Sequence, residues 1–149
     1  MFSLFLAAAL SPLPAAAPGP GYRLLMANPR VATMATAIVT GPEEARELTA
    51  ILLQGEPYPD GVDNVVMALV VNCSNGTYVT THIASHRGDT QVSERHETSQ
   101  VMTPAQGSSF WKRVHYACTG DSVGDDETVI PGLSAARTYG FRAIRAAHD

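Results

Sequence analysis

An α+β fold is expected, a small antiparallel sheet carrying a helix, and three observations lead there. Short runs rich in Val, Thr, Ile and Tyr alternate with turn residues between Arg30 and Thr98. The hydrophobic spacing then changes to a helical one between Ser108 and Cys118. The two cysteines, Cys73 and Cys118, fall at the end of a strand-like run and at the end of that helix.

Composition bounds the class of protein. The chain has 149 residues and a formal net charge of −4, so it offers no basic face for nucleic acid. Its 45% hydrophobic content suits a packed core. The first charged side chain is Arg23, and "FSLFLAAAL" followed by "SPLPAAAPGPG" has the form of a secretory apolar run with small residues and breakers behind it. Residues 1–17 are therefore read as a signal peptide cleaved near Ala15-Ala16-Ala17, and 18–149 as one domain. The run is shorter than the ~20 apolar residues that span a bilayer, so no transmembrane segment is expected. No Cys stands at the cleavage region to take a lipid. The expected location is the periplasm, the cell surface or the medium.

The elements follow in order. "RVATMATAIVT" (30–40) is β-rich and reads as a strand pair or one bent strand. "GPEEARELTAILLQGEP" is ambiguous: Pro42-Glu43-Glu44 resembles a helix start, while Arg46 to Leu53 is equally a strand. "YPDG" (58–61) has Pro, Asp and Gly in turn positions. "VVMALVVNC" (65–73) is short and valine-rich, hence a buried strand. Asn75-Gly76 turns it into "TYVTTHIASH" (77–86), and Arg87-Gly88-Asp89 turns that into "TQVSERHET", polar enough for a sheet edge. The whole is a meander of about five to six strands. Phe110, Trp111, Val114, Ala117 and Cys118 then share one helical face, with Ser108 or Ser109 as cap and Lys112 and Arg113 opposite. An acidic loop follows, and "LSAARTYGFRAIRAA" (133–147) reads as a final helix weakened by Gly140.

Two cysteines in an exported chain are expected to form one disulfide. At 45 positions of separation its closure is worth roughly 4 kcal/mol in the chain-entropy description. The alternative is a catalytic or metal-binding thiol, although no CxxC is present.

"AILLQGEPYPDGVDNVVMALVVNCSNGTYVTTHIASHRGD" and "PAQGSSFWKRVHYAC" together resemble the surface-adhesin protein E family of exported bacterial proteins, over about residues 32–118. The resemblance implies an antiparallel sheet with a helix tethered through Cys73–Cys118, and it makes 47–56 a strand. It also implies a non-catalytic, envelope-associated binding module that attaches to host or extracellular proteins; no cofactor is expected, and a homodimer is open. A bacterial origin weakens the two N-x-S/T patterns at Asn72 and Asn75 as glycosylation sites. Predicted exposure places the binding surface at Lys112 and Arg113 and at the turn around Arg87.

Other patterns are weighed against plain structure. Arg87-Gly88-Asp89 spells an integrin tripeptide but is also ordinary turn chemistry. Gly120-Asp121-Ser122-Val123-Gly124 fits a nucleophile elbow, which needs a strand before it and a helix after it, the reverse of what precedes here. On a strand His82 and His86 share a face but lie ~13 Å apart, so they share a metal only if the segment is helical or bent; His96 on the next strand could approach one of them, at best as a partial site. Asp121, Asp125, Asp126 and Glu127 lack the spacing of a calcium loop. No catalytic residue and no metal ligand is assigned. The competing class is a small periplasmic hydrolase using Ser122, or a metal-dependent enzyme using His82, His86 or His96.

Overall fold

In the computed structural model, which describes residues 20–122 and 128–149, the expected meander is present and longer than expected. Strands β1 (Gly21–Ala27), β2 (Val31–Thr36), β3 (Arg46–Gln54), β4 (Asn64–Asn72), β5 (Thr77–Arg87) and β6 (Thr90–Arg95) pair antiparallel in chain order. A two-residue β7 (Ile130–Pro131) closes the other edge against β1, giving the order β6-β5-β4-β3-β2-β1-β7. The sheet thus has seven strands where five to six were expected; β1 and β7 are the additions. Helix α1 (Ser109–Thr119) follows β6, and α2 (Leu133–Ala146) ends the fold. The leader expected at 1–17 lies outside the described residues, as do Asp125, Asp126 and Glu127.

Each face of the sheet carries an apolar cluster where a helix covers it. Strand side chains alternate between faces, so Leu48 and Ala50 on β3 point one way and Ile51 and Leu53 the other. The first pair joins Leu25, Ala35, Met67, Leu69, Val71 and Tyr78 under Val114, Tyr116 and Ala117 of α1. The second joins Tyr22, Ala32, Met34 and Val66 under Ala136 and Ile144 of α2. Burial on both faces explains the near-continuous apolar run of β3, and with it the helix-like pattern that made Arg46–Gln54 ambiguous. The fully buried Ile51 and Leu53 need a second layer, which a one-helix arrangement would not supply.

Local chemistry sets the joints. Ser108 caps α1, its hydroxyl accepting from the Trp111 amide at 3.2 Å. The β4–β5 connection is looser than a two-residue hairpin: β4 stops at Asn72, Cys73 lies in the turn, and only Gly76 takes positive φ (69°). Asn72 and Asn75 hold that turn with their side-chain carbonyls, accepting from the amides of Ser74 and Thr77. The Cys73–Cys118 disulfide ties the C-terminal end of α1 to this turn, with Cα atoms 5.5 Å apart.

Gly140 is a contact point of α2 and not a flaw in it. A Cβ there would lie 2.7 Å from Leu53 Cδ1 and 3.3 Å from Met34 Sδ, so the missing side chain is what lets α2 seat on β2 and β3. Gly140→Val is expected to destabilise the fold by about 2 kcal/mol in urea unfolding, because overpacking outweighs any helix-propensity gain. An unchanged midpoint would show that α2 shifts freely on the sheet.

Candidate functional site

Strand β6 forms an open edge of the sheet. All six residues of β6 are exposed, and the segment after it continues the edge: Met102 bridges Tyr78 and the Ser99 amide donates to the Thr80 carbonyl. Val92, Val101 and Met102 are exposed along this line, three of the six large apolar side chains so exposed among the described residues.

One face of this edge carries a side-chain cluster. Ile83 is registered with Arg95, so His82 lies opposite His96 one step on, and Glu94, two residues from His96, points to the same face. His82 Nε2 is 2.7 Å and His96 Nε2 3.0 Å from the same Glu94 Oε1. The two imidazoles stack at 4.3 Å between centroids, and Gln91 donates to Glu94 Oε2 at 3.1 Å. The hydrogen bond from His82, and then that from Gln91, hold the Glu94 carboxyl below its ordinary value. His96 therefore does reach His82, as sequence reasoning allowed, while Glu94 was missed. Its signal was the Glu-x-His spacing, which on a strand puts both side chains on one face.

His86 takes no part in that cluster. It is buried, its Nδ1–H donating to the Ala84 carbonyl, and it sits in a polar hub beneath α2. There Arg137 donates through Nε to Asn64 Oδ1 and through Nη1 to Asp89 Oδ1, and the Ser134 hydroxyl donates to Asp89 Oδ2. Asn64 in turn donates to Asp63 and to the Gly88 carbonyl, and the Gly88 amide donates to Asp63. The Arg-Gly-Asp turn is thus pinned from below, with both Asp89 oxygens occupied and Arg87 Nε on the Asp60 carbonyl at 2.8 Å. Its residues act as the clamp between the β5–β6 turn and α2.

The hub carries a pH dependence. Burial first, and then the Arg137 guanidinium, hold the His86 imidazole below its ordinary value, with the Ala84 carbonyl, Asp89 and Asp63 opposing. Folded His86 stays neutral where the unfolded chain takes a proton, so its stability contribution is complete above about pH 6.5 and falls as pH drops toward the depressed folded value. Asp89, held low by Ser134 and then Arg137, adds a second loss below about pH 3.9. The urea midpoint is expected to fall between pH 7.5 and 5 in the wild type and to fall less in His86→Gln. Equal slopes would remove His86 as the cause.

The residues expected to bind divide. Arg87 is exposed. Lys112 is half-buried, its ammonium 5.3 Å from the Trp111 ring centroid. Arg113 is a correction: it is 0% exposed and cannot offer its charge to a partner. Positions 110, 113, 114 and 117 form one helical stripe, so packing the sheet against Phe110, Val114 and Ala117 carries Arg113 in with them. Its Nε donates to Thr33 Oγ1 at 2.8 Å and its guanidinium lies 4.5 Å from the Phe110 ring centroid. Cys118, expected on the inward face, is exposed; Tyr116 takes an inward place and donates to the Thr36 carbonyl. Ser122 follows helix α1 and not a strand, the wrong element for a nucleophile elbow, and Val123 and Gly124 lie outside the described residues.

Beside the cluster, on the part of the α2-side face that α2 leaves open, Thr36, Thr49, Ala68, Val70 and Thr81 line a groove of about 440 Å³. Ala68 is the registered neighbour of His82, so groove and cluster adjoin. No helix among the described residues is long and apolar enough to cross a membrane. Comparison with protein-family models, with curated proteins and with solved structures finds no match.

Proposed function

We propose that this chain is an exported, envelope-associated binding module that engages a partner protein along the β6 edge. The observation that carries the reading is that edge: a fully exposed terminal strand with Val92, Val101 and Met102 in line. An open strand presents unpaired backbone donors and acceptors, and apolar side chains on it add a specific footprint, the two ingredients of strand addition. The Cys73–Cys118 bridge supports export, since disulfides persist in oxidising compartments. The resemblance to the adhesin family makes a host or extracellular protein the partner class to try first.

The test is affinity capture from envelope extract and from host extracellular matrix, with wild type and with a Val101→Asp/Met102→Asp variant. Both residues are exposed, so the variant keeps the core. A protein retained by the wild type and lost by the variant supports the reading; no retention from either source overturns it.

A further inference from the structure

We propose that His82, Glu94 and His96 form a binding site for a divalent late first-row transition metal, with zinc as its simplest occupant. The three ligand atoms lie within 4.8 Å of one another. Two imidazoles and one carboxylate are a donor set that zinc, copper(II) and nickel(II) accept, and three protein ligands leave a coordination position for water or an incoming group.

Two of the three separations are close to those around a bound ion, and the third lies within 4.8 Å. Zinc bound at ~2.0–2.1 Å to nitrogen and oxygen in a tetrahedron needs ligand atoms about 3.3 Å apart. The two Nε2–Oε1 distances are 2.7 and 3.0 Å, so each contact opens by a few tenths of an ångström to admit the metal. The side chains start aligned, because ring stacking aims both Nε2 atoms at one carboxylate oxygen. The backbone contributes as well: Glu94 lies on β6 and His96 two positions on, just past its end, while His82 lies on β5 one step beyond the last registered pair, Ile83 and Arg95. Gln91, bonded to Glu94 Oε2, orients the carboxylate from outside the ligand set. Arg95, between the two β6-side ligands in sequence, is directed to the opposite face by the strand alternation, which keeps its charge away.

The site stands independently of the edge-binding reading, because Val101 and Met102 contribute no ligand. The metal's open position would lie on the face that holds the groove of Thr36, Thr49 and Ala68.

The experiment is calorimetric titration of the full chain, free of tag histidines, with zinc chloride, alongside His96→Ala, Glu94→Gln and His115→Ala. His96 is 72% exposed and Glu94 41%, so neither change opens the core. The expected result is one zinc per wild-type chain, at least tenfold weaker binding for His96→Ala and for Glu94→Gln, and no change for His115→Ala, whose ring faces Asp121 at 3.8 Å elsewhere. The proposal is overturned if the wild type takes up no zinc below millimolar concentration, or if His96→Ala binds as tightly as wild type. Proton NMR of the imidazoles provides the second readout: zinc must shift the His82 and His96 ring signals and leave those of His86 in place.

Discussion

Replacing Cys73 and Cys118 together by alanine will cost about 4 kcal/mol, the larger of the two losses expected here. Cys118 is exposed and Cys73, half-buried, packs only at the margin of the core, so little of the loss comes from packing. The effect comes from the unfolded chain, which regains the freedom of a loop of 45 residues' separation. Against a typical domain stability of ~5–15 kcal/mol this is a large fraction. Urea unfolding of the oxidised wild type and the double variant should show a lower midpoint, and reducing the wild type should reproduce it. A loss below about 1 kcal/mol would mean that α1 is held by packing alone.

Arg113→Ala is the second large effect, with an expected loss of about 3 kcal/mol from the cavity and the lost contacts. Arg113→Met is expected to lie within about 1 kcal/mol of wild type. The contrast follows from what the guanidinium meets. It has the Thr33 hydroxyl, the Met67 sulfur at 3.3 Å and the Phe110 ring, while Nη2 has no hydrogen-bond partner in the structure. Among the described residues no carboxylate pairs with it. Burial pushes its pKa down to about 10, against a smaller upward pull from Tyr78. A long apolar side chain would fill the same space between Phe110 and Met67 without the cost of desolvating a charge. Thermal and urea unfolding of the two variants separate volume from charge. Equal losses in both would show that the hydrogen bond to Thr33 outweighs the desolvation.

Much of the fold was legible along the chain. Valine-rich and threonine-rich runs bounded by turns located β2, β4, β5 and β6, and the change of period at Ser108 located α1 with its cap. Those signals are local: alternation, turn chemistry and capping act within a few residues. Strand β1 escaped because "GYRLLMA" has few β-branched residues and abuts the apolar leader, and β7 because two residues carry no period. The final helix was legible, but the role of Gly140 was not, since its meaning lies in Leu53 and Met34 on other strands.

The candidate site was harder to read for the same reason. His82 and His96 were visible as residues that strand pairing could bring near each other, yet Glu94 was one exposed acid among several until register placed it between them. Arg113, expected opposite the apolar face, lies three residues from Phe110 and four from Ala117 and so turns inward with them, and Asp89, an adhesive tripeptide or plain turn by its neighbours, is held by Arg137, 48 residues away.

The sequence by itself determined four strands of the meander, β2, β4, β5 and β6, and the start of α1 near Ser108, because alternation, turn chemistry and capping are short-range; with only two cysteines it also left a single possible intrachain disulfide. Only the tertiary structure decided which face each helix covers, that a cation lies inside the α1 layer, and that two histidines and a glutamate meet at one edge. Those outcomes depend on helix rotation and on the combined register of several strands, which the burial of distant apolar side chains sets together with the turns.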